Sequence, residues 1–514
     1  MNRIFPLLLC LLLLASLFTG CVEEQLPHVP TGDALEGEDA TQGTQPPQNT
    51  EQELTLVYYK DRPLNPLTCT DFTNRALFPL LYQSLFVADR DYNAYPLLCK
   101  SFTRSKDMKS YVFYIADATF SDGTPLTAQD VAASLLQAKS SPVYSGRFTH
   151  ITGISVTEDG GVQVRLSCAA ENLPLLLDIP ILREDQLQEE MPLGTGPYSF
   201  STALGRPRLL RNNHWWCKAS LVATASSVQL VEAQSPAQIR DQFEFGDVGV
   251  VCADPGSDHY ADYRCDFELW DCENGIFLYL GCNVESPVFS NPKVRASLTY
   301  AIDRDMIVDS FYRGFARSAA LPASPLSPYY SKGLAANYEM DSVRFAQALN
   351  ETGLSGSSIV LLVNKDDSLR VRASRAISRM LTDCGLAVTT KELGGSNYTR
   401  ALRNREYDLY LGQTKLSANM DLSPFFATRG ALSQGGMSDP AMYALCLEAL
   451  ANSGNYYTLH KTVADDGRLC PILFRSYAVY AKRGLVSDLT PARDNVFFYH
   501  LGKTADDVLI PLTQ

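Results

Sequence analysis

The chain has 514 residues, of which 46% are hydrophobic, 20% charged and 10% aromatic, a composition typical of globular proteins. At roughly 150 residues per domain, this length predicts about three domains. The 57 Asp and Glu residues outnumber the 44 Lys and Arg residues, so the net charge is −13, and no basic run occurs. This charge pattern excludes a typical nucleic-acid-binding protein, and six scattered histidines argue against a multi-metal enzyme.

The N-terminus has the features of an exported lipoprotein. Arg3 precedes an apolar run, Ile4–Phe18, of 15 residues. As a helix this run spans about 22 Å, less than the hydrocarbon core of about 30 Å, so it reads as a secretory signal. It ends in LFTGC, with small residues directly before Cys21, as in a bacterial lipobox. We predict a signal peptide over 1–20 and lipidation of Cys21; a plain signal peptide with an incidental cysteine is the alternative.

The segment after Cys21 is predicted to be a disordered tether. Residues 22–53 contain eight acidic residues, no Lys or Arg, and many Gly, Pro, Gln and Thr. Such a segment cannot bury enough apolar area to fold. We therefore assign 21–53 to the lipid-anchor cysteine and an acidic tether, which carries more than half of the net charge.

The cysteines of the body do not form a recognisable motif. After Cys10 and Cys21 are set aside, eleven remain, and none belongs to a Cys-x-x-Cys pair. Zinc-ribbon and thioredoxin-like sites therefore have little support. We expect these residues to act mainly as small buried hydrophobic side chains, with one or two disulfides at most.

The first half of the body contains short strands and one well-marked helix. Leu54–Tyr59 is apolar and predicts a strand, and Asn74–Leu85 has helical spacing that Pro79 interrupts. In FSDGTPLTAQDV, Thr127 is placed as the N-cap of a helix that runs to about residue 139, with Asp130 in its first turn. A hairpin is predicted over residues 154–166.

The second half of the body predicts an α/β region. The glycine-rich turn Gly194–Tyr198 precedes a strand and lacks the GK[ST] ending of a phosphate loop. Asn291 and Pro292 start a helix, and Asp303 caps the next one. Residues 358–479 then alternate strands with helices, including a strand at 407–411 and another from about residue 477.

These motifs, in this order, resemble the peptide/nickel class of extracytoplasmic solute-binding proteins of ABC importers. The blocks that carry the resemblance are PLNPLTCTDFTNRALFPLLYQSLF, FSDGTPLTAQDVAASL, GTGPY and NPKVRASLTYAIDR, and the resemblance covers roughly residues 54–514. It implies an α/β, two-lobed, periplasmic-binding-protein-like fold of the class II type, with a third subdomain inserted in lobe one. It places lobe one at 54–90, 188–283 and 482–514, the inserted subdomain at 91–187, and lobe two at 284–481.

The resemblance implies a receptor and not an enzyme. The ligand, an oligopeptide or a similar small polar solute, is expected between the lobes, where a hinge closes over it. The expected partners are ABC permease subunits and the membrane, through the lipid anchor at its extracytoplasmic face. We expect a monomer, and neither a cofactor nor a catalytic or metal site. A lipoprotein that senses a ligand for a signalling partner, and an extracellular hydrolase, are the alternatives.

Candidate ligand-binding residues follow from the same comparison. Peptide-binding members place in lobe two an aspartate that pairs with the peptide's amino terminus, within a Gly-Trp…Asp stretch. Here that stretch reads YDLYLGQTKLSANMDLSPFF, with Gln413 at the place of the tryptophan. The aspartate's place falls on Leu416 or Asn419, Asp421 is the nearby carboxylate, and Lys415 adds a cation. The absence of histidine in these blocks disfavours nickel. Further candidates lie at predicted strand ends and near the crossover: Thr68, Cys69, Thr70, Asp71, Trp270, Asn274 and Gly275.

Overall fold

A computed structural model describes residues 54–203, 205–217, 225–256, 263–486 and 489–510. The predicted signal peptide, Cys21 and the acidic tether lie outside these residues. Within the described ranges, no helix has the length and apolar character needed to cross a membrane.

The body alternates strands and helices along its length. Its strands are β1 (Thr55–Tyr59), β2 (Phe86–Ala88), β3 (Ala94–Pro96), β4 (Cys99–Arg104), β5 (Ser110–Ile115), β6 (Ile151–Val156), β7 (Val162–Leu166), β8 (Tyr198–Ser201), β9 (Arg208–Arg211), β10 (Ser227–Ala233), β11 (Val250–Ala253), β12 (Phe267–Cys282), β13 (Ala316–Ser318), β14 (Ser358–Asn364), β15 (Ala387–Leu393), β16 (Leu409–Lys415), β17 (Leu469–Lys482) and β18 (Leu509–Ile510). Its α-helices are α1 (Phe72–Arg75), α2 (Phe78–Leu81), α3 (Ala128–Ala138), α4 (Pro236–Phe245), α5 (Pro292–Ser297), α6 (Arg304–Tyr312), α7 (Lys332–Ala335), α8 (Ser342–Glu351), α9 (Ser368–Asp383), α10 (Gly395–Arg403), α11 (Ser423–Phe426), α12 (Pro440–Ala451), α13 (Tyr456–Asp466) and α14 (Ala505–Val508).

Local sequence signals account for several helix ends. Thr127 caps α3 by accepting from the Asp130 backbone N–H, and the Asp130 carboxylate accepts from the Thr127 N–H, which completes a capping box. Asn291 caps α5, which begins with Pro292 as predicted. The predicted helix over 74–85 is instead two short helices, α1 and α2, because Pro79 sits at the start of the second one and cannot continue the first.

Four sheets organise the body. One contains β1, β10, β9 and β8, and a second, of five strands, contains β18, β4, β5, β7 and β6. A seven-stranded sheet, here called the central sheet, has the order β11-β17-β12-β16-β14-β15, with β13 paired to β17. Strands β2 and β3 form a separate pair. The long antiparallel strands β12 and β17 lie side by side in the middle of the central sheet.

The hydrophobic core divides within β12 and β17. The largest cluster is built only from buried residues before 273 and after 478. A second cluster is built from residues 278–473, and a third combines residues 277–474 with Ala88, Tyr92 and Leu175. Most of the core therefore falls into two groups that share the paired strands β12 and β17, as in a two-lobed α/β fold. The exact limits of the lobes and of the inserted subdomain stay predictions.

All eleven body cysteines are free thiols. Eight are buried, and the other three, Cys217, Cys252 and Cys265, are partly buried. The thiols therefore act as small core side chains, and the described residues contain no disulfide that cross-links the fold.

Candidate ligand-binding site

The paired strands β12 and β17 change register where the core divides. Their pairing is regular up to Glu273 and resumes at Phe277. Between these positions, Gly275 has a φ of +69°, a conformation that favours glycine, and a Cβ there would overlap the Arg493 guanidinium. The Gly275 carbonyl accepts from the Leu416 N–H at 3.0 Å. This irregular segment therefore connects β12 to the chain that follows β16.

Glu273 connects the same segment to three other parts of the chain through hydrogen bonds. Its side chain is buried and accepts from the Tyr92 hydroxyl and, at 2.7 Å, from the Ser324 hydroxyl. Burial raises the pKa of the Glu273 carboxyl, although both hydrogen bonds act against this rise. Its backbone carbonyl accepts from the Asp494 N–H at 2.9 Å.

An ion pair joins Lys415, at the end of β16, to Asp494 near the C-terminus. Lys415 keeps 33% of its side chain exposed, but its ammonium contacts the Asp494 carboxylate, whose side chain is only 10% exposed. Burial lowers the pKa of Lys415 to about 8, despite the opposing charge of Asp494. For Asp494, burial acts to raise the pKa, but the cations Lys415, Arg75 and Arg493 outweigh it and hold the pKa below its usual value.

A second charged pair joins His150, just before β6, to Asp421, just before α11. His150 Nε2 lies 3.2 Å from Asp421 Oδ2 and 2.9 Å from Ser423 Oγ. The Asp421 carboxylate also accepts from the Ser423 N–H at 2.8 Å. Both side chains are buried, with 12% and 6% of their surfaces exposed. Burial of the imidazole acts to lower its pKa, but the hydrogen bond to Asp421, with a contribution from Cys168, raises the pKa of His150 to about 10.

A cavity of about 430 Å³ adjoins both pairs. We call it the inter-lobe cavity because its two walls fall in the predicted inserted subdomain and in the predicted lobe two. One wall comes from residues 146–167 and the other from residues 414–443. Lys415, Asp421 and His150 line it together with Ser417 and Tyr443. Charged groups of both signs and hydroxyl groups therefore line one cavity, which is the arrangement that orients a small polar molecule.

The structure brings several predicted residues to this region. Lys415 and Asp421 line the inter-lobe cavity, and Asn274 and Gly275 lie in the irregular segment of β12. Asn419 is buried, with its backbone carbonyl bonded to the Tyr456 hydroxyl. Each of these positions stays a prediction as a ligand contact.

The other candidates lie outside the cavity lining. Gln413 is held by Arg475, whose Nη1 donates to it at 3.2 Å while Nη2 donates to Asp254 at 2.8 Å. Trp270 is half-buried in β12, opposite Val479 of β17. The remaining candidates form the loop before α1, where Cys69 is buried, Thr68 and Thr70 are exposed, and Asp71 caps the helix.

Among the residues of the region that sequence reasoning missed are His150, Arg75 and Asp494. His150 belongs to no motif, and its partner is far away in the sequence. Arg75 lies four residues after the predicted loop at Asp71, in a helix whose Phe72 ring stacks on Tyr477 at 3.6 Å. Asp494 has a φ of +56°, in a tight turn in which the backbones of residues 492 and 495 pair. The ARDN sequence, which is rich in turn-forming residues, is the one local signal for it.

The region holds polar and charged groups but no metal cluster among the described residues. Among the described residues, no three His, Cys, Asp or Glu side chains are grouped so that they could hold a metal ion. Charged groups, amides and hydroxyls provide hydrogen bonds and ion pairs to a guest.

A family model of bacterial extracellular solute-binding proteins, family 5 (middle), matches residues 93–435. The chain belongs to this family. ABC transporter peptide-binding proteins of Brucella species are 25% identical over 346 residues, which cover 59% of this chain and 60% of theirs. The glutathione-binding protein GsiB of Escherichia coli K12 is 24% identical over 404 residues, 71% of this chain and 76% of that protein.

Solved structures of the family confirm the fold. The ABC transporter substrate-binding protein CtaP of Listeria monocytogenes superimposes with a TM-score of 0.69 at 18% identity, covering 86% of this chain and 97% of that one. The two-lobed, periplasmic-binding-protein-like fold that the sequence predicts is therefore the fold of this family 5 solute-binding protein.

Proposed function

We propose that this protein is the membrane-anchored solute receptor of an ABC importer. It is held at the extracytoplasmic face of the cell membrane by lipid on Cys21 and binds an oligopeptide or a similar small polar solute between its lobes. Membership of family 5 supports the receptor role. The similarity to proteins named for binding peptides and glutathione supports a peptide-like solute.

The observation that carries the proposal is the position of the inter-lobe cavity. Its walls come from residues 146–167 and 414–443, on two different parts of the chain, and each contributes a charged group. The strands that pass between the two groups of cores, β12 and β17, are irregular at Gly275, beside this region. A bend at that segment would open the cavity to a solute and close it again.

The first experiment asks whether the cavity retains a solute. The full-length chain is purified gently from its native cell, and small molecules are released and identified by mass spectrometry. Ala431, which is exposed and lines the cavity, is replaced by tryptophan to fill it. We expect Ala431→Trp to lose a solute that the parent retains, whereas Ala444→Trp, on the exposed face of α12, keeps it. Equal retention by both variants, or no solute in the parent, contradicts the proposal.

The second experiment tests the anchor. Cys21→Ser removes the sulfur that accepts lipid, so the variant is expected to leave the detergent phase in a temperature-induced phase separation. Cys217→Ser, which changes a partly buried cysteine of the body, is the matched control, and we expect it to stay in the detergent phase. Unchanged partitioning of Cys21→Ser contradicts lipid anchoring. Failure of a deletion strain to take up the identified solute distinguishes an importer from a signalling receptor.

A further inference from the structure

A smaller cavity, here called the arginine cavity, lies on the other side of the Lys415–Asp494 ion pair. Its volume is about 70 Å³. Asp494 borders it, whereas Lys415 borders the inter-lobe cavity, so the ion pair stands between the two spaces. The charged groups that line the arginine cavity are Arg75, Arg147, Asp178, Arg493 and Asp494, and Tyr144 is one of its aromatic residues.

The charges around the arginine cavity do not cancel. Arg147 forms an ion pair with Asp178, and Asp494 forms one with Lys415. Arg75 and Arg493 remain, and neither guanidinium has a carboxylate within ion-pair distance in the part of the chain that the structure describes. The cavity therefore presents two cationic groups that the protein itself does not neutralise by direct contact.

Several hydrogen-bond donors of Arg75 and Arg493 have a distant acceptor or none among the described residues. Arg493 is 7% exposed, and its Nη2 donates to the Leu416 carbonyl. Its Nε and Nη1 are buried and donate to no acceptor among the described residues. Arg75 donates to the Cys69 carbonyl at 3.5 Å, the outer limit of a hydrogen bond. Buried donors without acceptors are costly, so an acceptor supplied from outside would be favourable here.

The ring of Tyr144 lies beside two arginines of the arginine cavity. The guanidinium carbons of Arg75 and Arg147 lie 5.7 and 4.8 Å from the centre of the buried Tyr144 ring. A cation–π contact does not supply the oxygen acceptors that guanidinium N–H groups require. The donors of Arg75 therefore still favour an acceptor from a guest.

We propose that the arginine cavity binds a carboxylate group, which Arg75 and Arg493 hold. A guanidinium presents N–H donors in a planar fork that matches the two oxygens of a carboxylate. With a volume of about 70 Å³, the arginine cavity is the smaller of the two spaces and suits an end group of a solute. The inference rests on the proposed function, because the carboxylate is taken to belong to the transported solute. It narrows that solute to one with an acidic end group.

The experiment uses ¹³C-labelled acetate as the probe and the full chain in detergent micelles. Acetate binding is measured by NMR titration, with acetamide as the neutral analogue and inorganic phosphate as the competing anion. In the parent we expect saturable acetate binding that acetamide does not displace. We expect Arg75→Gln to weaken it about 10- to 150-fold, as for loss of a charged hydrogen bond. Arg240→Gln, an exposed arginine paired with Asp241, is the matched control and binds like the parent.

Three results overturn the inference: acetate binding that does not saturate in the parent, Arg75→Gln binding like the parent, or phosphate binding more tightly than acetate. If Arg75→Gln does not fold, Arg75→Lys keeps the charge but loses the fork, and acetate binding equal to the parent then counts against the inference. The retained-solute experiment is independent of this one. A solute retained by a protein that does not bind acetate removes only the carboxylate site. Saturable acetate binding without any retained solute removes the proposed receptor function and leaves the anion site.

Discussion

The His150–Asp421 pair makes a quantitative prediction about pH, because its histidine changes charge on an accessible part of the pH scale. Folding raises the pKa of His150 from its ordinary 6.5 to about 10, since the bond to Asp421 outweighs the effect of burial. The folded chain therefore holds this proton more tightly than the unfolded chain does. The resulting stabilisation is fully present below a pH of about 6.5 and is lost as the pH rises through about 10.

The size of the effect follows from the same values. At about 1.36 kcal/mol for each pKa unit, a rise from 6.5 to about 10 sets an upper limit of roughly 5 kcal/mol. Both side chains retain some contact with solvent, 12% and 6% of their surfaces, which reduces this limit. We expect about 2–4 kcal/mol, close to the range for removing one partner of a buried ion pair.

The perturbation is His150→Gln, which keeps a hydrogen-bonding side chain but cannot carry the charge. The free energy of unfolding is measured by urea titration at pH 6 and pH 10. We expect the variant to be about 2–4 kcal/mol less stable than the parent at pH 6 and nearly equal to it at pH 10. His214→Gln, on the exposed loop after β9, controls for histidine loss. A parent–variant difference that is the same at both pH values refutes the reasoning.

Two further predictions concern the backbone and the thiols. Gly275→Ala adds a Cβ at a φ of +69°, against the Arg493 guanidinium, and should lower the free energy of unfolding in urea by about 2–4 kcal/mol. Gly160→Ala, at a φ of +82° with open space around it, should lower it by only about 1–2 kcal/mol. Equal losses would show that the contact with Arg493 does not matter. Burial raises the pKa values of the Cys272 and Cys282 thiols well above the usual range. Both thiols should therefore resist alkylation in the native protein and react after denaturation, which mass spectrometry measures. Native labelling of either thiol, or its failure to label after denaturation, contradicts this.

The parts of the fold that depend on residues close together in the sequence could be predicted from it. The Thr127–Asp130 capping box and the Asn291 cap lie within four residues of the groups they bind, so the local sequence contains the whole signal. The two-lobed fold was predicted through specific motifs, and the family match confirms it.

Strand limits were less predictable because tertiary pairing sets them. The strand predicted at 407–411 is β16, Leu409–Lys415, and its polar end is included because it pairs with β12 as far as Ile276. Likewise β17 begins at Leu469, and not near residue 477, because its first half also pairs with β12. A strand extended by its neighbours carries no local mark of where it ends.

The site could be predicted only in part, because its important contacts join distant segments. Sequence comparison identified Asp421 as the nearby carboxylate but no partner for it within the chain. In the structure His150 and Ser423 already satisfy this buried carboxylate. No pattern within a short window relates residues 150 and 421, so their pairing is visible only after folding.

These pairs change what a solute has to achieve in order to bind. Asp421 and Lys415 are each neutralised by a group from another part of the chain, His150 and Asp494, without any guest. A peptide ammonium that reaches Asp421 must displace the imidazole, so its net gain is the difference between two charged hydrogen bonds and not the value of one. Arg75, by contrast, has no such partner among the described residues, and a carboxylate that reaches it displaces no carboxylate. We therefore expect an acidic end group at Arg75 to gain more binding free energy than an amino terminus at Asp421.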